Sequence, residues 1–368
     1  MPDLSPSDAF SLTRENLSHW LVAQGFSSFH GKAIFRQLYG SSPVKHLHDE
    51  AGELPRELSP CFNRHYHLGR AEVISEQHSP TDASVKFLYR LADGSAIESV
   101  IIPESSRITL CISSQVGCAQ ACSFCHTGRM GLSRNLSVGE IVGQVVWANH
   151  WLIQSPDWLR AQKYDENKRI TNVVFMGMGE PLDNTTAVID AISIMVDPHG
   201  LRLGPSKISV STAGLVPGLQ QLIAAKLGVS LAFSLHSPEG SLRSQLMRIN
   251  RRYPLEQVLA IFQEHALEVK RDFLIQYTLI AGVNDSPLQM ATLAELLSGL
   301  RAKVNLIPYN LVAGTSYAKP QIDQVLACYR ALARAGIRCM IRFSKGQDIA
   351  AACGQLAIME KHSASALT

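Results

Sequence analysis

An α/β fold built on a partial (β/α)6 barrel, with a small helical region and a β-hairpin ahead of it, is the architecture this sequence predicts. Three observations carry that expectation. From residue 107 onward, apolar strand-like runs alternate with helical patterns. Before that point the apolar spacing is first helical and then of period two. The chemically unusual residues fall where the apolar runs stop, the place where such folds gather ligands.

Over 1–65 the spacing is helical. Leu17, Trp20 and Leu21 mark one short helix that Gly25 ends, and Ala33, Ile34, Leu38 and Tyr39 mark a second with Gly40 behind it. A His- and Arg-bearing linker from Asn63 to Gly69 leads into 66–106, where VKFLYRLADGSAIESVIIP reads as a hairpin turned by Asp93-Gly94. The barrel is expected over 107–357, with strands RITLCIS, TNVVFMG, KISVST, VSLAFSLH, FLIQYTLI and KVNLIPY and IRCMIRF as a candidate seventh. Ser137 and Glu140 fit a capping box for a helix carrying Ile141, Val142, Val145 and Val146. Another helix follows Pro320, with Val325, Leu326, Tyr329 and Leu332 on one face. The polar stretch from Gln154 to Arg169 reads as a surface excursion, and 358–368 as a tail.

At 368 residues and 46% hydrophobic, the chain can bury one large core. No apolar run reaches the ~20 residues of a membrane span, and the N-terminus lacks the layout of a secretory signal. Clustered cysteines in such a chain point to metal or redox chemistry in a reducing, cytoplasmic setting. A net charge of +3 is too small to announce a nucleic-acid binder. Two local groups are basic: Arg248, Arg251 and Arg252 beside Tyr253, and Arg330, Arg334, Arg338, Arg342 and Lys345. Each could meet phosphates or be a solvated face.

Cys118, Cys122 and Cys125 have the spacing C-x3-C-x2-C just after the first barrel strand. Three thiolates on one tight loop can hold three corners of a four-iron cluster and leave one iron open. A closed zinc site completed by His126 is the competing reading. After the second strand comes GMGEP, whose Gly179 allows close backbone approach to a ligand and whose Glu180 could accept bonds from an amino group. Ser211, Ser234-Leu235-His236 and Asn310 end later strands, where each alone could be a cap or turn. Cys111 reads by itself as a core strand residue, Cys353 as an inert thiol among alanines, and Glu98 as an exposed strand carboxylate.

Taken together, CISSQVGC, RNLSVGEIVGQV, VVFMGMGEPLDN, VSTAGLVP, SLHSP, VNLIPYN and DIAAACGQL resemble the RlmN/Cfr family of radical S-adenosylmethionine (SAM) RNA-adenine methyltransferases, nearer to RlmN. The likeness runs from the N-terminal helices to LAIME. It implies a radical-SAM barrel with one [4Fe–4S] cluster on Cys118, Cys122 and Cys125. It further implies SAM contacts from Gly179, Glu180, Ser211, Ser234, Leu235, His236 and Asn310. Cys353 would carry a methyl from one of two SAM molecules used per turnover, Cys111 would form a transient disulfide with it, and Glu98 would accept a proton. Cys61, Cys328 and Cys339 match no role. The implied product is an adenine methylated at C2 in 23S rRNA, and also in tRNA, by a monomer served by an external electron donor. The N-terminal region, the hairpin and the arginines would grip the RNA. His126, Leu132, Arg248 and the stretch NLVAGTSYAKP depart from the commoner RlmN pattern, which keeps methylation at C8, in the Cfr manner, as the rival. A zinc-stabilised RNA-binding protein without catalysis is the rival from another class, and a radical enzyme acting on a small metabolite or protein is a third.

Overall fold

The computed structural model describes residues 7–40, 46–47, 52–69 and 71–356. The expected tail, and the end of the LAIME string, lie outside them.

The described chain begins with a two-residue strand, β1 (Ser7–Asp8), followed by helices α1 (Arg14–Ala23), α2 (Gly31–Tyr39) and α3 (Leu58–His65), and β2 (Tyr66–His67), which pairs with β1 in parallel. The two helices read from apolar spacing are present. The stretch expected to be linker starts inside α3, whose His65 ring bonds the Cys61 carbonyl at 2.9 Å.

Strands β3 (Glu72–His78), β4 (Val85–Arg90), β5 (Ala96–Glu104) and β6 (Arg107–Ile112) form an antiparallel meander, with Asp93-Gly94 at the β4–β5 turn. The segment read as a hairpin and linker is therefore part of the main sheet. A small ladder follows, β7 (Gln115–Gly117) against β8 (Leu132–Asn135), with α4 (His126–Met130) between them. Next come α5 (Val138–Gln154), α6 (Pro156–Ala161), β9 (Asn172–Phe175), α7 (Thr185–Val196), β10 (Ile208–Thr212), α8 (Val216–Ala224) and β11 (Ser230–Ser234). The series closes with α9 (Gly240–Leu246), α10 (Leu255–Glu268), β12 (Phe273–Leu279), α11 (Pro287–Leu297), β13 (Ala302–Pro308), α12 (Ile322–Arg334) and β14 (Cys339–Ile341). The sheet order is β14-β13-β12-β11-β10-β9-β6-β5-β4-β3, parallel from β6 to β14. Six βα units thus form the partial barrel, and IRCMIRF supplies the short seventh strand. The polar stretch after Gln154 carries α6.

Local chemistry sets these elements. Ser137 Oγ accepts from Glu140 N at 3.2 Å while Glu140 returns a bond to Ser137 N at 2.8 Å, so the capping box starts α5 where the sequence places it. One face of the parallel strands is apolar and buried, as with Ile208 and Val210 on β10, while the other carries polar residues such as Ser211 and Gln276 toward the cavity.

Two long-range attachments matter for the site. At the N-terminus, Arg14 pairs with Asp197 at 2.7 Å, and Ser11 Oγ accepts from Gly139 N at 3.0 Å, which docks the first helices on α5 and α7. After β14 the chain turns back to the meander. Gly346 N donates to Asp82 at 2.7 Å, Asp348 accepts from Ser79 Oγ at 2.9 Å and Thr81 Oγ1 at 3.1 Å, and Lys86 Nζ reaches the Ala350 carbonyl at 3.4 Å. This C-terminal arm ties the end of the barrel to the β3–β4 turn and to β4.

Candidate active site

The loop after β6 places Cys118, Cys122 and Cys125 around one cavity at the C-terminal ends of the strands. Its shape is held by backbone bonds, Cys118 N to Gly131 O at 2.9 Å, Cys125 N to Cys122 O at 3.1 Å and Ser123 N to Leu246 O at 3.0 Å. Burial pushes the Cys118 thiol up to about 12 and raises Cys122 and Cys125 as well, with the charges of neighbouring cysteines adding to each. Three thiolates so close in an apolar wall need a cationic partner to exist together. Among the described residues no three His, Cys, Asp or Glu side chains converge on a point that could hold one metal ion.

The same cavity is lined by Gly179, Glu180, Ser211, Ser234, His236 and Asn310, drawn from the ends of successive strands. Leu235 does not line it. Its side chain is buried beneath, and its carbonyl accepts from Arg243 Nε at 3.0 Å. Gly179 has φ +103°, and a Cβ there would lie 2.6 Å from Gln115 Cβ, so the loop can only press against the start of β7 as glycine. Glu180 accepts from Ala213 N at 2.8 Å and Leu182 N at 3.2 Å, and burial still pushes its carboxyl up to about 7. Ser211 and Ser234 hydroxyls meet at 3.3 Å. His236 accepts from Thr278 N through Nδ1 at 2.9 Å and packs edge-on against Phe124, and burial lowers its pKa to about 3, so the ring is neutral. Two buried polar atoms on the wall, Asn310 Oδ1 and Gln276 Nε2, have no hydrogen-bond partner within the protein. A polar ligand would satisfy them.

Cys353 is the exposed thiol of the arm, and it lines two cavities at once: the one just described and a second one with Cys111. Its backbone is pinned from both sides. Asn310 Nδ2 donates to the Cys353 carbonyl at 3.1 Å, and His126 N donates to the Gly354 carbonyl at 2.9 Å. Cys111 is buried, and its thiol is raised far above the ordinary range by burial first and the Cys353 charge second. Glu98 is 2% exposed rather than an exposed strand residue, and forms a 3.1 Å salt bridge with Lys86. It alternates with Val100 and Ile102 on β5, and Val100 is paired with Cys111, so Glu98 and Cys111 share the interior face of the sheet. Cys61, Cys328 and Cys339 line neither cavity.

Sequence reading missed Lys86, Gln115, Arg243 and Gln276. Gln115 accepts from Glu180 N at 2.8 Å, and Arg243 is fully buried behind the strand ends. An arginine at an inward helix position was the available signal for the latter. The C-terminal basic group is not one surface: Arg338 pairs with Asp272 at 2.7 Å, Arg342 lines the Cys111 cavity and Lys345 donates to the Pro103 carbonyl. Arg251 and Arg252 are exposed, the latter over the Tyr253 ring at 5.2 Å.

The Radical SAM superfamily model matches residues 112–294, a span that holds the three clustered cysteines and stops short of Cys353. The chain is 46% identical to a dual-specificity RNA methyltransferase RlmN of Desulfotalea psychrophila, covering 96% of this chain and 95% of that one. It is 40% identical to the RlmN of Syntrophobacter fumaroxidans over 96% of this chain and 98% of the relative. A radical SAM methyltransferase from Sphaerobacter thermophilus, solved by crystallography, superimposes with a TM-score of 0.84 at 37% identity, over 95% of this chain and 99% of that one.

Proposed function

The chain belongs to the RlmN family of radical-SAM RNA methyltransferases, and on that footing we propose that it methylates C2 of an adenosine in 23S rRNA, and also in tRNA, by way of a methyl carried on Cys353. It is an enzyme, and its family implies SAM and a [4Fe–4S] cluster. The observation that carries the finer reading is the place of Cys353, one residue that lines both the clustered-cysteine cavity and the Cys111 cavity.

In this reading Cys118, Cys122 and Cys125 would hold the cluster, which when bound would supply the electron for reductive cleavage of SAM. Glu180 offers a buried carboxylate to the SAM ammonium, and Gly179, Ser211, Ser234, His236 and Asn310 line the rest of the pocket, with the Leu235 backbone behind. Cys353 as thiolate would take a methyl from one SAM by displacement; the second SAM of the turnover would supply the radical that removes a hydrogen atom from that methyl, whose carbon would then bond to C2 of the adenine. Glu98, fixed by Lys86, accepts the proton that leaves the methylated base. Cys111 then closes a disulfide with Cys353 and frees the product, and two electrons from outside return both thiols. The target base has to be unstacked to reach the second cavity. Among the described residues no helix is long and apolar enough to cross a membrane. The proposal also takes the enzyme to be cytoplasmic and monomeric, served by an external electron donor.

Anaerobically reconstituted protein is expected to carry one added methyl on Cys353 by peptide mass spectrometry and to yield 2-methyladenosine in digested RNA. Cys353→Ala should lose both signals while keeping the brown cluster. RNA methylation by that variant would sink the carrier role, and 8-methyladenosine in the digest would replace C2 with C8.

A further inference from the structure

Among the described residues, Arg243 heads the side chains wholly shut off from water. It stands on α9, whose last residue, Leu246, accepts the Ser123 N–H bond at 3.0 Å, so the arginine's helix and the cysteine loop are tied together. The guanidinium donates through Nε to Leu235 O at 3.0 Å and through Nη1 to Asn250 Oδ1 at 2.7 Å. Nη2 donates to Ala213 O at 2.7 Å and Ser234 O at 3.2 Å. Its plane lies over the Phe233 ring at 5.0 Å. Every one of those acceptors is neutral.

A guanidinium keeps its proton even here; burial lowers its pKa only to about 10, so the site holds a permanent positive charge. Ala213 and Ser234, whose carbonyls it bonds, line the same cavity as Cys122, and the Cys122 thiol and Glu256 are the acidic groups that act on its charge. Neutral hydrogen bonds alone could tie β10, β11 and α9 together without the cost of burying a cation. The charge therefore needs a reason, and a buried anion nearby gives one.

We propose that Arg243 is a positioning residue that sets the reduction potential of the cluster held by Cys118, Cys122 and Cys125; this rests on the cluster assignment above. The step it acts on is the transfer of one electron from a low-potential one-electron donor to the cluster, with no bond made or broken. A fixed positive charge behind the Ala213–Ser234 wall of that cavity would stabilise the more negative, reduced state and so raise the potential. The hydrogen bonds to Leu235, Ala213 and Ser234 make the same residue the brace of the neighbouring cavity wall.

The test is an anaerobic redox titration of the reconstituted full chain, following the reduced cluster by electron paramagnetic resonance. Arg243→Gln removes the charge. Asn250→Asp keeps the Nη1 acceptor and sets a compensating negative charge against the guanidinium. Each should hold roughly tenfold less reduced cluster at a given potential, a shift of about 59 mV for one electron. Arg243→Lys, which keeps the charge, should stay within about threefold of the native protein. If Arg243→Gln fails to take up iron, Asn250→Asp decides alone. Midpoints in the loaded variants equal to the native one overturn this inference and leave the cluster assignment standing, whereas a native chain that binds no cluster overturns both.

Discussion

Glu180 combines two demands that pull in opposite directions. Two backbone N–H groups hold its carboxylate, yet burial raises its pKa from 4.5 to about 7. A raised carboxyl contributes stability that is complete below its unfolded pKa and is lost as pH climbs through the folded value. SAM-free protein should therefore lose stability from about pH 5 to about pH 8 through this group, and Glu180→Gln should flatten that slope in thermal melts. If Glu180 meets the SAM ammonium, the same variant should bind SAM at least ~10-fold more weakly near pH 8, measured by equilibrium dialysis. The penalty should shrink below about pH 6, where the native carboxyl is itself protonated. A pH-independent penalty would remove Glu180 from the SAM site.

At the scale of elements, the C-terminal arm is what turns a row of strands into a site. Asn310, at the end of β13, bonds both Ser344 Oγ at 2.9 Å and the Cys353 carbonyl at 3.1 Å. Asn310→Ala should cost about 1–3 kcal/mol and act mainly on the arm. Alkylation of Cys353 by iodoacetamide should speed up several-fold while the cluster absorbance is retained; an unchanged rate would show that the arm does not depend on Asn310. The strands, the capping box at Ser137 and the C-x3-C-x2-C loop were legible in sequence because each is a local pattern of period or spacing. The position of Cys353 between two cavities was not. It depends on bonds from Asp82, Ser79 and Lys86, far away in sequence, to a segment with no periodicity of its own. Arg243 was illegible for a similar reason, since its four acceptors come from β10, β11 and the turns beyond α9. Glu98 could be placed on a strand from its alternation, but its buried ion pair is with Lys86, the partner of Val100 one step along the same face, which only the β4–β5 register reveals.

Across the whole molecule, one hydrophobic core runs from Ala9 to Leu356, so the N-terminal helices and the barrel are packed as a continuous body among the described residues. Gly139 lies at the seam, where a Cβ would come 2.0 Å from Asp8 Oδ2. Asp8 cannot easily yield, because it accepts from Phe10 N at 2.9 Å and Gly69 N at 3.0 Å. Gly139→Ala should loosen the N-terminal helices at a cost of about 1–3 kcal/mol, seen as faster proteolysis within 7–40 with the cluster intact. Unchanged proteolysis would mean the seam repacks. If Arg251 and Arg252 touch RNA, reversing both charges should weaken binding and flatten its salt dependence by up to ~2 in slope, read from filter binding over a salt series. Equal affinity would take those arginines off the RNA surface. The sulfur of Cys353 has a different consequence at this scale. Cys353 lines both cavities, and at an exposed residue a turn of the side chain takes only picoseconds to nanoseconds. Under the proposed function, the methyl donor and the RNA base would then approach that residue through different cavities.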